Sequence, residues 1–576
     1  MHLRRSCLLA LTLAACNPPA TSTDAGPTDD TISIDAPRID ADLHMGLTLP
    51  RCEDTDPAPA TALPHFASTL VGSYVPHASR LAMPPAINPV TEMGETMYRS
   101  AGYHIVDTGP GQAHVTRTDL GGSATTSTDR RSLAWLAHLS DFQLADDEAP
   151  TRLGRTDSAA VSGGLRAQEA YLPRAVSAMN RTLARIDAAG RGFDAGIVTG
   201  DCSDSALANE LHWVLDVMNG TPGLETDSGN DDDPIPGPGN DPKDPFDPVA
   251  FPAPWFYVPG NHDVEIVGVT APGPTQRMEA LGTRAAAGTR DYRQWYAPIT
   301  QGNVPADPAR VVLDRDSIVD IVRDPASAGA MGPIGHGFRA TGTIDTALGA
   351  NWSYDVIPGV LRVVSIDTSD RTGGSNGMVL QGTIDGWLLP ELDRAVSDGV
   401  LVMIASHHAM HAIDIFEGQL GSTPVTGALT GDEVEAIVSM RPEVIAWLVG
   451  HEHDNRVRAV HGPDATHPGY WEIMTSAIAD WPSQTRTIEI VDNGDGSLSI
   501  FATLIDYDTD DCFERRYRAL TQIEWVTGWS DERTHDAPNH NVELLRSVPA
   551  SARSTISTAR ASAPTRIESL TTLQGT

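Results

Sequence analysis

Five short apolar runs in this 576-residue chain each end in side chains able to bind a metal ion. Leu133 to Leu139 leads into Ser140-Asp141-Phe142-Gln143, and Ala195 to Thr199 into Gly200-Asp201-Cys202-Ser203-Asp204. Trp255 to Val258 leads into Pro259-Gly260-Asn261-His262-Asp263, Leu401 to Ala405 into Ser406-His407-His408, and Val444 to Val449 into Gly450-His451-Glu452-His453. Carboxylates, imidazoles and amide oxygens together make mixed N/O spheres suited to Zn, Mn or Fe. Two such cations roughly 3.5–4 Å apart lower the pKa of a bound water and clamp a phosphoryl group, with a carboxylate between them as bridge. That is the chemistry needed to cleave a phosphate ester at neutral pH. Glycines before Asp201, Asn261 and His451 let the backbone turn sharply and approach the ions closely.

Taken singly these motifs say little. A Gly-Asp after a strand is most often a turn, and two histidines near a strand end are often plain surface residues. Their succession carries the inference, because each follows an apolar strand and strand ends can converge on one edge of a sheet, where α/β proteins place their sites.

The elements that must position these residues are legible in the same pattern. Each run spans four to seven residues, is rich in β-branched or aromatic side chains, and stops at Gly, Pro, Asp or Ser, as buried strands do. Leu361 to Ile366 and Trp471 to Met474 read the same way. Between the first two runs, residues 167–189 place Ala170, Leu172, Val176, Met179, Leu183 and Ile186 at helical spacing, with Gly190 as a stop. Strand, helix, strand implies α/β layering. Thr485 to Ile490 and Leu498 to Ile505 flank Asn493-Gly494-Asp495-Gly496, which predicts a hairpin closing a sheet. Residues 222–254, dense in Asp, Pro and Gly, read as a long acidic surface insertion. Its Asp231-Asp232-Asp233 run is a calcium candidate and, more simply, a solvated loop. Residues 63–130 read as a β-rich extension before the main domain at 131–510, and 511–576 as a second extension with a frayed end.

Formal net charge is -36, and Lys243 is the only lysine. Such a surface repels polyanions and argues against nucleic-acid binding, whereas a small phosphate ester is admitted where bound cations reverse the local field. The lone lysine also excludes a Gly-x-x-x-x-Gly-Lys-Ser/Thr phosphate loop, since no such motif surrounds it. Residues 1–16 have the form of a lipoprotein signal: a basic start at Arg4-Arg5, an apolar stretch from Leu8 to Leu13, then Leu13-Ala14-Ala15-Cys16. Residues 17–62 suit a disordered tether. The expectation is an extracytoplasmic protein of a bacterial cell envelope, held to a membrane through lipidated Cys16, with no protein partner inferable. Export permits a disulfide, for which Cys52 and Cys512 are the expected pair; Cys202 is expected as a buried thiol.

The series Asp141, Gly200-Asp201-Cys202-Ser203-Asp204, Gly260-Asn261-His262-Asp263, His407 and Gly450-His451-Glu452-His453 resembles the calcineurin-like metallophosphoesterase superfamily, over roughly residues 133–505. The resemblance implies a two-sheet β-sandwich flanked by helices, a four-layer α/β architecture, with two divalent metal ions at one edge. It implies Asp201 as bridge, Asn261, His407 and His451 on one ion, and Asp141 and His453 on the other. His262 would be no ligand but a general acid or charge stabiliser near the scissile phosphate, positioned by a carboxylate such as Asp204 or Asp263, while a metal-bound hydroxide attacks phosphorus.

One position departs. Where the family has Asp-x-His, this chain has Asp141-Phe142-Gln143, and a neutral amide oxygen is a poorer ligand than imidazole. Gln143 coordinates and favours a harder ion such as Mn, or Asp146, Asp147 or Glu148 substitutes, or that ion is loosely held or absent. His408 competes with His407 for one ligand position, and His336 and Asn209-Glu210 are candidate substrate contacts. The expected activity is hydrolysis of a phosphomonoester or phosphodiester. The alternatives are a weakly active or inactive surface-anchored binding protein that kept the fold, and a metallohydrolase of a carboxylic ester or amide.

Overall fold

Two facing sheets bring the five strand ends together. The computed structural model describes residues 50–565 apart from 60–61, 84, 86, 89–90, 122–128, 153–165, 230–234, 286–288, 291–298, 301–302, 371, 419–420, 531–532 and 534. The expected signal, its Cys16, most of the tether, the Asp231-Asp232-Asp233 run and the last residues therefore lie outside the described residues. Among the described residues, no helix is long and apolar enough to cross a membrane.

The first sheet has seven strands in the order Val115–Arg117, Val542–Ser547, Ser497–Ile505, Thr485–Asp492, Arg131–Leu139, Ala195–Val198 and Trp255–Tyr257. The second has six, in the order Arg456–Asp464, His467–Met474, Val444–Val449, Leu401–Ala405, Leu361–Ser365 and Ser353–Ile357. Arg131–Leu139, Ala195–Val198 and Trp255–Tyr257 pair in parallel, as do Leu361–Ser365, Leu401–Ala405, Val444–Val449 and His467–Met474. Parallel pairing aligns carboxyl ends, so every ligand-bearing run delivers its last residues to a common edge of its sheet.

Alternation along the strands sets the layers. In the second sheet Leu361, Val363, Leu401, Met403, Leu448 and Ile473 join the core shared with the first sheet. Val364, Val402, Ile404, Trp447 and Val449 face the other way, onto Ile384, Leu388, Leu392, Val434 and Val438 of the helices beyond. On the first sheet the helix Leu172–Ala189 buries Leu172, Val176, Met179 and Leu183 in the shared core. It starts with Pro173 in its first turn, after a short 3₁₀ turn at Glu169–Tyr171, and ends at Gly190. The result is helix, sheet, sheet, helix: the expected four-layer α/β sandwich.

Three expectations change. The hairpin Thr485–Asp492 and Ser497–Ile505 lies inside the first sheet rather than closing it, flanked by Arg131–Leu139 and Val542–Ser547. Residues 222–254 are not a surface loop throughout: Leu224, Thr226, Ile235, Asp241 and Lys243 are buried. Lys243 Nζ lies 2.6 Å from Asp147 Oδ1 and donates to the Thr226 carbonyl at 2.8 Å, so the lone lysine is an internal clamp. The C-terminal stretch also packs, with helix Arg553–Arg560 burying Ile556 and the Ser132 amide bonding the Pro564 carbonyl. Cys52 and Cys512 form a disulfide, as expected. Cys202 is a buried free thiol whose pKa burial pushes well up, which makes it inert.

Candidate metal centre

The ligand-type residues meet at the strand ends with their backbones already bent. Among the described residues, nine non-glycine residues have positive φ, and five of them are Asp141, Gln143, Asp201, His451 and His453. The left-handed region is sparsely populated except by Gly, Asn, Asp and His, and such conformations cluster where function over-determines the backbone. Of the three glycines expected to ease the turns, only Gly200 has positive φ, at 92°. Gly260 and Gly450 serve close approach instead: a Cβ on Gly450 would sit 1.9 Å from Ser140 Oγ and 2.6 Å from Asp141 Oδ2. Backbone bonds lace the turns together, with the Asp141 amide on the Gly200 carbonyl at 3.0 Å and the Gln143 amide on the Asp201 carbonyl at 2.9 Å.

Each key imidazole has one nitrogen committed and the other aimed at the carboxylates. His407 Nδ1 donates to the Thr199 carbonyl at 2.7 Å, leaving Nε2 3.0 Å from Asp201 Oδ2 and 3.9 Å from Asp141 Oδ1. His453 Nδ1 bonds Asp480 Oδ2 at 2.5 Å, leaving Nε2 3.3 Å from Asp141 Oδ1. His262 Nδ1 donates to the Asp204 carbonyl at 2.7 Å, leaving Nε2 4.0 Å from Asp201 Oδ2. Asn261 is oriented the same way, because its Nδ2 donates to the Gly268 carbonyl at 2.8 Å and so turns Oδ1 the other way. One atom each from Asp141, Asp201 and His407 falls within a 4.8 Å span, and so does one each from His407, His408 and His451.

His408 is excluded as a ligand by its own bonds. Its Nε2 reaches the Ser375 carbonyl at 3.1 Å, which requires a proton there, and Nδ1 then accepts from Thr368 Oγ1 at 2.9 Å. Both nitrogens are thereby committed, which leaves His407 as the histidine of this strand end that faces Asp201 and Asp141. Asp263 lies apart from the His262 ring contacts: its Oδ1 accepts from the Cys202 and Ser203 amides and Ser203 Oγ, and its Oδ2 from the Gly260 amide. It ties the two ligand loops to each other, while the hydrogen bond that orients His262 comes from the Asp204 main chain. The Asp204 side chain pairs with Arg152.

The other candidates lie elsewhere. His336 is fully buried, bonded to the Trp255 and Ser327 carbonyls, and packed on the Trp255 ring, so it is structural. Glu210 accepts from the Asp146, Asp204, Ser205 and Leu207 amides, and Asn209 donates to Asp146 Oδ2 at 2.7 Å. Asp146 also meets Arg310, Asp147 meets Lys243, and Glu148 lies 3.5 Å from Arg310, so these acids are engaged away from Gln143.

The electrostatics describe a nest of opposed charges. Burial would raise the Asp201 carboxyl, but His407 and then His262 outweigh it and hold it well below the usual range. Burial would likewise lower His407, yet Asp201 and Asp141 push it up to about 9. His451, by contrast, is lowered to about 4 by burial and by neighbouring His407.

Whether these residues fit cations is answered by their orphaned atoms. Gln143 Oε1 and Asn261 Oδ1 are buried acceptors with no hydrogen-bond partner among the described residues, while Asp141 Oδ1 and His407 Nε2 meet only other members of the cluster, His453 and Asp201. A buried acceptor without a partner costs roughly 1–3 kcal/mol. Such atoms at three strand ends are what cation coordination would satisfy, and the donor set is the mixed N/O type of transition-metal sites.

No protein-family model matches the sequence, and no curated protein matches it in a sequence search. Among solved structures, the chain is similar to a dimetal phosphatase from Danio rerio, with 13% identity, 66% of this chain and 100% of that chain covered, and a TM-score of 0.33. It is also similar to a purple acid phosphatase from yellow lupin (Lupinus luteus) seeds, with 12% identity, 64% of this chain and 51% of that chain covered, and a TM-score of 0.30.

Proposed function

We propose that the chain is a metal-dependent phosphoesterase of the calcineurin-like type, hydrolysing a small phosphomonoester or phosphodiester. The observation that carries this reading is the buried cluster in which one atom each of Asp141, Asp201 and His407 falls within 4.8 Å, together with the partnerless buried oxygens of Gln143 and Asn261 on the neighbouring turns. Asp201 would bridge two divalent cations, with Asn261, His407 and His451 holding one and Asp141, Gln143 and His453 the other. When bound, the cations supply the activation of water and the charge neutralisation that phosphoryl transfer needs.

The chain's own residues do the rest. His262 keeps a proton on Nδ1 through the Asp204 carbonyl, so Nε2 is the atom that exchanges a proton or polarises the leaving oxygen. Its backbone amide bonds Asp201 Oδ1 at 2.8 Å, which locks the histidine to the bridging carboxylate. The free Gln143 oxygen supports its coordinating role over substitution by Asp146, Asp147 or Glu148, and it favours an ion tolerant of oxygen ligands, such as Mn. Export and lipid anchoring at Cys16 belong to the same proposal; the Cys52–Cys512 disulfide supports an oxidising compartment.

The test is elemental analysis of the purified chain, paired with hydrolysis of a chromogenic phosphodiester and a carboxylic ester before and after chelation and Mn readdition. The expected result is near two metals per chain and chelator-sensitive phosphodiester turnover, lost in His262→Ala and Asp201→Asn. Absence of turnover under every added ion, or turnover of the carboxylic ester alone, would refute it.

A further inference from the structure

We infer that Asp480 is a positioning residue for His453, setting the ring's tautomer and aim and thereby the affinity of the cation on the Asp141 side; this rests on the phosphoesterase reading. Asp480 lies 27 residues beyond His453 in the loop after strand His467–Met474, and it is outside every ligand motif. Its Oδ2 meets His453 Nδ1 at 2.5 Å. A carboxylate only accepts, so a proton is held on Nδ1, and Nε2, 3.3 Å from Asp141 Oδ1, is the nitrogen left to meet a cation.

The carboxylate is itself held from two sides. Arg166 Nε donates to Oδ1 at 2.8 Å, and Arg533 Nη2 to Oδ2 at 3.3 Å. All four side chains are at least nine-tenths buried, so these charge-assisted bonds act with little screening by water. The loop carrying Asp480 is stitched to the first ligand strand: the Ile478 amide bonds the Ser140 carbonyl at 3.2 Å, and the Ala479 amide bonds the Asp141 carbonyl at 3.1 Å. Gln168 Nε2 adds a bond to the Ala479 carbonyl at 3.1 Å, and Tyr517 donates to the Ile478 carbonyl. The residue that aims His453 is therefore braced on the backbone of Asp141, with which His453 shares its cation.

This brace matters most on the Asp141 side, because Gln143 supplies only a neutral oxygen there. An imidazole that hydrogen-bonds a carboxylate is a more basic ligand, and losing such a partner typically lowers metal affinity about 10- to 100-fold. His407, on the other side, is oriented by the Thr199 carbonyl alone and does not touch Asp480.

The experiment is chelator competition with Mn²⁺ and Zn²⁺ on the full chain, comparing wild type, Asp480→Asn, His453→Ala and the double variant, with circular dichroism melting to confirm folding. Asp480→Asn should weaken one of the two binding steps about 10- to 100-fold and leave the other near the wild-type value. In the His453→Ala background it should add no further loss. Asp480→Asn/Arg166→Gln, which leaves no extra buried guanidinium charge, should show the same selective loss where the single variant fails to fold. Unchanged affinities in the folded variants, or an additional loss in the His453→Ala background, overturn the inference while the phosphoesterase reading stands. A wild-type chain that binds neither ion overturns both.

Discussion

Replacing Gly268 by alanine crowds His262 and also presses on Asn261, so the test of the His262 ring is read together with metal content. Gly268 has φ of 66°, and an ideal Cβ there would lie 2.2 Å from His262 Cδ2, 2.4 Å from Nε2 and 2.6 Å from Asn261 Nδ2. Carbon atoms rest about 3.5–4 Å apart, so the ring must retreat by more than roughly 1 Å. It cannot retreat freely, because Nδ1 is tied to the Asp204 carbonyl at 2.7 Å and the backbone amide to Asp201 at 2.8 Å. Displacement of a reacting group by about 1 Å costs on the order of 100-fold in rate, equivalent to about 2.7 kcal/mol. The left-handed backbone adds about 1–2 kcal/mol of destabilisation for an L-residue. Steady-state hydrolysis of a chromogenic phosphodiester and urea unfolding read these two effects, and metal content on the same sample reads any disturbance at Asn261. The expected outcome is kcat down about 100-fold with stability lowered and the protein still folded at 25 °C. A folded Gly268→Ala variant whose kcat stays close to that of wild type would show that the His262 ring takes no part at the reacting phosphate.

His138 should contribute an acid-labile share of the stability of the metal-free protein. Burial depresses His138 from 6.5 to about 3, so below pH 6.5 this ring is protonated in the unfolded chain and neutral in the folded one. The stability this neutral ring contributes is complete above pH 6.5 and falls as pH drops toward 3, by up to about 1.4 kcal/mol per unit. Urea unfolding of wild type and His138→Gln at pH 7.5, 6 and 5 checks this, and a difference between the two that does not change with pH would refute it. Lys243→Met removes the ammonium 2.6 Å from buried Asp147 and should cost about 3–5 kcal/mol, most of it recovered in Lys243→Met/Asp147→Leu; equal melting of the two variants would contradict the clamp. Cys52→Ser opens the disulfide and should lower stability by roughly 2–5 kcal/mol, an effect that reductant reproduces in wild type but not in the variant.

The strands were legible because each is a short apolar run stopped by a turn residue, and because buried parallel strands tolerate little else. The site was legible for the same reason: its residues sit where those runs stop. What escaped was whatever depended on residues meeting from distant segments. Asp480 carries no local motif, and only the folding of its loop onto Ser140 and Asp141 brings it to His453. Residues 222–254 looked solvated because Asp, Pro and Gly dominate them, yet Lys243 and its acidic partners are satisfied internally, which composition does not reveal. The family resemblance implied Asp263 as a partner of His262, whereas its oxygens are taken by four donors, from Cys202, Ser203 and Gly260. The hairpin is where it was expected but does not close its sheet, since Val542–Ser547, from far down the chain, pairs beyond it.

The left-handed backbone at Asp141, Gln143, Asp201, His451 and His453 narrows the alphabet available there before any ion is considered. β-branched and bulky residues are disfavoured at positive φ, while Asp, Asn and His are tolerated several-fold better. Those tolerated types are also the oxygen and imidazole donors that divalent ions take. Geometry and coordination thus act as two independent filters passing nearly the same few letters, which keeps such a centre recognisable when the rest of a sequence has drifted. By the same logic, position 143 is open to histidine without new backbone strain, so Gln143→His should be accommodated in the fold and change only the character of the donor.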